Sequence, residues 1–384
     1  MNTLYRVFGF TGFFLIFLGN SLAADWYVAT NGNDAASGTN WATAKKTIQA
    51  AVDAAVDGEV ILVSNGIYQT GSRVTPGALL SNRLVVVKDV AITSLNGPSV
   101  TSILGVGPRG PDAIRCVYLA AGQLSGFTLA NGATLSYSGI DAINGAGGGI
   151  YAEASYISIS NCVISGNSAV WGGGAYQGIL TDCFLAGNIA EHGGATYRSL
   201  HNSCVISNNQ ATGYGGGCTM GSLNRCQVMR NQAMYGGGVS SCALSNSAVV
   251  FNLASYGGGV QGDSFMDFYL SHCTIAGNEA LVEGGGACSM DPSHWCDISS
   301  SILYYNSAPK GANYSGTLMN FYNSCTLPVP DEGSDNFGTD PLLAGDFRLS
   351  AMSPCRINGS PGSTESLDID GEPWGEPASI GCDE

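Results

Sequence analysis

The side chains best spaced for chemistry are acidic: Asp263 and Asp267 in one segment, then Asp291, His294 and Asp297 in the next. Carboxylates brought together in pairs bind Ca2+ through their oxygens, or divide acid and base roles between them. All five are catalytic candidates, and Asp263, Asp267 and Asp291 are the metal-ligand candidates; the competing reading is two solvated loops. A second set is aromatic. Trp171, His192, Tyr214, Tyr235, Tyr256 and Glu283 each stand just before a glycine run. On successive layers of a repeat they form a stripe, of which Trp171, Tyr214, Tyr235 and Tyr256 are the glycan-binding candidates. The same row reads also as a structural stack, because rings lying face to face cover one another. Gly262-Asp263-Ser264-Phe265 matches a serine-esterase block only in isolation, without a strand and helix around it.

The element that must position both sets is a repeat. Asn167-Ser168-Ala169, Asn188-Ile189-Ala190, Asn209-Gln210-Ala211, Asn231-Gln232-Ala233, Asn252-Leu253-Ala254, Asn278-Glu279-Ala280 and Asn306-Ser307-Ala308 follow one another at 21, 21, 22, 21, 26 and 28 residues. Asn131-Gly132-Ala133 is an earlier copy. Glycine runs follow most copies, and five residues before each Asn stands Cys162, Cys183, Cys204, Cys226, Ser247, Cys273 or Ser301. Helices would not carry so many glycines, since each interior Gly costs about 1 kcal/mol against Ala. Short runs such as Tyr156–Ile159 and Ala248–Phe251 have strand propensity. A propeller blade needs about 40 residues, so this period suits one turn of a β-helix solenoid. Its coils stack about 4.8 Å apart, giving an Asn ladder, a Cys/Ser ladder and a glycine edge. The Asn ladder is read as structural, amide to amide, so that Asn209→Ala should harm folding more than binding. The five or six extra residues in the last two long coils carry Asp263, Asp267, Asp291, His294 and Asp297, and in register these loops are neighbours.

Composition sets the class of partner. The 384-residue chain has a formal charge of −15 and only 11% charged residues, so clustered phosphate contacts and hence nucleic acid are excluded. Residues 1–24 read as a signal peptide: Arg6, an apolar run from Val7 to Leu18, and small residues Ser21-Leu22-Ala23 before the cut. Its removal takes the charge from −15 to −16. No later run is apolar enough to span a bilayer. The 13 cysteines permit disulfides in an exported protein but leave at least one unpaired. Stacked Cys162, Cys183, Cys204 and Cys226 read as buried small apolar thiols rather than metal ligands. Residues 25–83 should form an N-terminal cap and first coil, with a helix over Trp41–Val56 burying Ile48, Ala51, Val52, Ala55 and Val56. Residues 84–327 form the repeats and 328–384 a closing tail.

Three stretches carry a family resemblance. Trp26-Tyr27-Val28, Thr47-Ile48-Gln49-Ala50-Ala51-Val52 and Gly66-Ile67-Tyr68 look like the start of secreted bacterial right-handed parallel β-helix proteins of the pectate-lyase-like superfamily. The Asn and Gly-Gly repeats are similar to those of polymorphic outer-membrane proteins, though their Phe-x-x-Asn element is missing. The tail from Asp340-Pro341-Leu342-Leu343 through Asp368-Ile369-Asp370-Gly371 to Ile380-Gly381-Cys382 resembles the C-terminal segment of such proteins. The resemblance implies an all-β right-handed solenoid; its enzymes would add an acidic calcium cluster and an arginine base. Arg109-Gly110-Pro111-Asp112-Ala113-Ile114-Arg115 is one residue longer than their Arg-x-Pro-x-x-Arg pattern, and reads as a turn before a strand at Val117. The expectation is an exported surface or extracellular protein, adhesin-like or glycan-binding; the alternative is a polysaccharide lyase or glycoside hydrolase using Ca2+.

Overall fold

The computed structural model describes residues 26–136, 142–262, 268–290, 295–345, 347–356, 358–359, 367–375 and 378–383. The expected signal peptide, together with Asp263, Asp267, Asp291 and His294, lies outside them. Three long parallel sheets run the length of the chain. Sheet I starts at Trp26–Val28 and ends at Met319–Tyr322, sheet II runs from Gly66–Tyr68 to Cys325–Thr326, and sheet III from Ser81–Val86 to Tyr314–Gly316. Each coil visits them in order: Ser158–Ser160, Val163–Ser165 and Ala175–Tyr176 are followed by Ile179–Thr181, back in sheet I. The chain is a parallel β-helix. Register is strict, as Leu124, Ile159, Leu180, His201, Leu223 and Leu244 fall in one inward row of sheet I.

Alternation makes the core. Along each short strand the middle residue points inward, so Ile164, Leu185, Ile206, Val228 and Val249 fill sheet II with essentially no exposure. Each such side chain contributes about 1.5–3 kcal/mol of burial. His201 breaks the aliphatic row of sheet I. Its Nε2 meets Thr196 Oγ1 at 3.0 Å and its Nδ1 meets the Ser222 carbonyl at 3.2 Å, so both ring nitrogens are satisfied inside the core.

The corners explain the repeat. The single residue turning sheet I into sheet II has positive φ in every regular coil, whether Asn161, Asp182, Ser203, Arg225 or Asn246. The Asn that follows sheet II is the ladder residue. Asn167 Nδ2 donates to Asn188 Oδ1 at 3.0 Å, and the same bond links Asn188 to Asn209, Asn209 to Asn231, Asn231 to Asn252, Asn252 to Asn278 and Asn278 to Asn306. One copy is out of register. Ala133 pairs with Ser168, so Asn131 sits at the left-handed corner (φ 58°), and Gly132 holds the ladder position with its N–H on Asn167 Oδ1 at 2.8 Å.

All 13 cysteines are free and buried. At the Cys/Ser position the side chain accepts from the backbone N–H of the preceding coil and donates to the carbonyl two residues back. Ser247 Oγ does so for Cys226 N (3.0 Å) and Ser245 O (2.7 Å), and Cys226 Sγ for Cys204 N (3.5 Å) and Asn224 O (3.2 Å). Burial pushes the thiols of Cys116, Cys273 and Cys288 up to about 12.

At the N-terminal end the helix is shorter than the sequence suggests. After residue 43 the chain leaves the helical conformation, and Lys45 pairs with the first strand, bridging Val28. Only Trp41–Thr43 makes a 3-10 turn, and α1 spans Ile48–Ala54, capped by Thr47 Oγ1 accepting from Ala50 N. Ile48, Ala51, Val52 and Ala55 are buried as expected, but Val56, beyond the helix, is 61% exposed. At the other end Phe347, Ile369 and Cys382 pack on Ala248, Val250 and Ala276, while Leu349, Cys355 and Ile380 pack on Ile302 and Cys325. Arg348 ties this segment together by pairing with Asp370 and Asp383. Asp368 Oδ1 accepts the backbone N–H of Asp370 and Glu372, which makes Asp368-Ile369-Asp370-Gly371 a structural turn. No helix among the described residues is long and apolar enough to cross a membrane.

Candidate functional site

The aromatic row is built by the turn between the Asn ladder and sheet III. Trp171, His192, Tyr214, Tyr235, Tyr256 and Glu283 each precede a glycine of positive φ. The N–H of that glycine donates to the carbonyl of the row member one coil on, as from Gly193 to Tyr214 (2.8 Å), Gly215 to Tyr235 (2.8 Å) and Gly236 to Tyr256 (2.9 Å). Glycine is obligatory at this corner. Gly172 has φ 61°, and a Cβ there would lie 2.0 Å from the Ala175 carbonyl oxygen.

Fixed in this way, the rings stack. Tyr214 and Tyr235 have centroids 4.9 Å apart at 20°, Tyr235 and Tyr256 5.4 Å at 15°, and His192 lies 5.5 Å from Tyr214 at 31°. All are half-buried, so one side of the stack rests on the protein and the other shows ring edges to solvent. Burial holds the His192 imidazole below its ordinary value and therefore neutral at pH 7. The row ends in charge: Lys310 Nζ lies 2.6 Å from Glu283 Oε1, and Ser315 Oγ donates to the same oxygen. Lys310 and Ser315 together hold the Glu283 carboxyl below the usual range.

A second tyrosine stack was not anticipated. Tyr118, Tyr151, Tyr176 and Tyr197 stack on the outer face of sheet III at 5.8, 5.0 and 5.9 Å, within 14° of parallel. Its signal stands in the sequence as Gly147-Gly148-Gly149-Ile150-Tyr151, Gly172-Gly173-Gly174-Ala175-Tyr176 and Gly193-Gly194-Ala195-Thr196-Tyr197. This stack is mostly covered. A short helix, α2 (Ala142–Gly145), packs Ala142 and Ile143 against it, and Tyr118 donates to the Glu153 carboxylate.

Both arginines of the lengthened Arg-x-Pro motif are engaged in contacts within the fold. Arg109 pairs with Glu191 at 3.0 Å. Arg115, in the strand Ile114–Leu119, is fully buried; it donates to Gly147 O, Ala146 O, Ile143 O and Asn82 Oδ1 and lies 4.9 Å over the Tyr151 ring. Burial pulls its pKa down to about 9, while four acceptors and a ring face offset the loss of water. Its role is to clamp α2 onto sheet III.

Of the acidic candidates, Asp297 alone is described. It lies in the sheet I strand Cys296–Ser299, in register with Tyr269 and Asn320, and accepts the Asn320 amide at 2.8 Å. By itself it does not supply the roughly six to eight oxygens that Ca2+ takes. Among the described residues no group of three or more His, Cys, Asp or Glu is placed to hold a metal ion.

Neither a protein-family model nor a curated protein sequence matches the chain. Solved structures do. The chain is similar to pectate lyase Pel9A, with a TM-score of 0.55 and 14% identity over 93% of this chain and 95% of that one. It is also aligned with a rhamnogalacturonan lyase at a TM-score of 0.46 and 11% identity, over 88% of this chain and 93% of that one. At this identity the likeness to the pectate lyase establishes the fold, a parallel β-helix over nearly the whole length.

Proposed function

We propose that this protein is an exported, non-catalytic β-helix that binds a neutral glycan along the Tyr214–Tyr235–Tyr256 row. The observation that carries the reading is the row itself: three half-exposed tyrosines locked at a spacing of about one coil, presenting a linear set of ring edges and hydroxyl-bearing rims. A linear polymer whose repeating sugar is about one coil long meets the same surface at each step. The charge of −15 disfavours a polyanion unless cations bridge it to the protein. The second reading is a polysaccharide lyase or hydrolase working at the insertion loops with Ca2+. It draws on the likeness to pectate lyase Pel9A.

The test is incubation of the purified protein with neutral and acidic polysaccharides, with and without Ca2+, scoring retained binding, unsaturated products and new reducing ends. Retention on a neutral polymer that falls at least tenfold in a Tyr214→Ala/Tyr235→Ala/Tyr256→Ala variant, without products, supports the first reading. Product formation lost in an Asp263→Asn/Asp267→Asn/Asp291→Asn variant replaces it with the second.

A further inference from the structure

A pocket of about 280 Å³ opens at the N-terminal end, between the first turn of α1, the loop after the strand Gly66–Tyr68, and the strand Ser81–Val86. Its lining is unlike the rest of the surface. Of the 14 lysines and arginines in a chain with 29 acidic residues, Lys46, Arg73 and Arg83 all line this one pocket. They are not equally engaged. Arg73 is paired bidentately with Asp53, at 2.7 and 2.6 Å, which cancels its charge. Arg83 is held only by carbonyls: its Nε donates to Leu104 O at 2.8 Å and its Nη1 to Gly71 O. Among the described residues neither Arg83 nor Lys46 has a carboxylate within ion-pair distance, and Arg83 Nη2 has no partner. The remaining lining combines hydroxyl and amide groups, Thr70 and Gln69 among them, with the buried ring of Tyr68.

A guanidinium fixed by two carbonyls has its free edge aimed in one direction and pre-organised for a planar or tetrahedral oxyanion. The second cation, Lys46, is a mobile point charge at the rim. Polar groups around an apolar floor suit a polyhydroxylated ring, and the volume suits one ring rather than a chain. We propose that this pocket binds a single sugar unit carrying an oxyanion, a sugar acid or a sugar phosphate, with Arg83 and Lys46 as its counter-ions. The site is separate from the tyrosine row and does not depend on it.

Isothermal titration of the purified protein with glucuronate, glucose 6-phosphate and glucose tests this. The expected result is saturable binding of at least one of the two anions, with glucose at least tenfold weaker and the affinity falling as salt is raised. Whichever anion binds more tightly identifies the oxyanion. Arg83→Gln should weaken it tenfold or more. Because Arg83 also fastens the loop at Gly71, Lys46→Gln provides a second variant on an exposed side chain; it should weaken binding severalfold with an unchanged melting temperature. Tyr235→Ala should leave this binding unaltered. Equal affinity for glucose and the anions, no binding of either anion, or binding indifferent to both substitutions would overturn the proposal.

Discussion

Replacing Asn209 by Ala tests the physical reading of the ladder most directly. Asn209 is 1% exposed. Its Oδ1 accepts from Asn188 N at 2.9 Å and Asn188 Nδ2 at 3.0 Å, while its Nδ2 donates to Leu185 O, Ser207 O and Asn231 Oδ1, each at 3.0 Å. Alanine removes all five bonds. The losses differ in kind. Asn188 Nδ2 keeps Ile164 O at 2.8 Å and Asn231 Oδ1 keeps Asn209 N at 2.9 Å, but the Asn188 backbone N–H loses its ladder acceptor inside the protein. An orphaned buried donor costs about 1–3 kcal/mol, and each other bond contributes about 0.5–1.5 kcal/mol net. Taken at the low end of these ranges, the expected destabilisation is at least about 3 kcal/mol. Coils contact mainly their neighbours, so unfolding of such an array need not be two-state. The assay therefore pairs urea denaturation with amide exchange at Asn188, which should quicken at least a hundredfold for a loss of about 3 kcal/mol. Gln210→Ala, one residue along on an exposed side chain, is the control and should change neither. A loss below about 1 kcal/mol with Asn188 exchange unchanged would refute the argument that these amides hold the coils together.

Three further outcomes are expected. Cys226→Ser should cost less than about 1 kcal/mol, because Ser247 and Ser301 already perform the same double duty, whereas Cys226→Ala strands Cys204 N and should cost about 1–3 kcal/mol in urea denaturation. The raised thiols of Cys116, Cys273 and Cys288 predict alkaline sensitivity. Burial takes them from an ordinary 9.0 to about 12, so between those values the folded state binds more protons than the unfolded one, and stability present below pH 9 is lost as pH rises towards 12. Melting temperature followed from pH 8 to 11 should fall less steeply in a Cys116→Ser/Cys273→Ser/Cys288→Ser variant. Finally, His201→Leu alone leaves the buried Thr196 hydroxyl without its partner and should destabilise. Adding Thr196→Val removes that penalty, so the double variant should match or exceed the parent in denaturation midpoint.

The solenoid was legible because a ladder repeats its residue type at each coil, so period and fold appear in the same letters. Asn167 to Asn306 mark the coils, and the Cys/Ser position and glycine corner are read with them. Asn131 misled because the left-handed corner also favours Asn, and only the pairing of Ala133 with Ser168 separates the two positions. The helix over Trp41–Val56 was overdrawn because its apolar spacing continues into residues that the first strand claims for backbone pairing. Tyr118, Tyr151, Tyr176 and Tyr197 went unread although three of them follow the glycines at a constant offset. The N-terminal pocket had no local signature, since Lys46, Arg73 and Arg83 converge only when the cap closes on the first coils.

The Asn amides all point the same way. Each donates towards the C-terminal neighbour, and the line begins on the Gly132 backbone N–H and ends with Asn313 Nδ2 on the Leu327 carbonyl. Every interior coil therefore presents one acceptor to the coil before it and one donor to the coil after it, like bricks with identical studs and sockets. A cut that removes one whole brick, such as residues 188–208, leaves Asn167 facing Asn209 with the same complementary groups. The molecule can lengthen or shorten in whole coils without redesigning its interior, whereas a change of a few residues at the ladder breaks the line at that point.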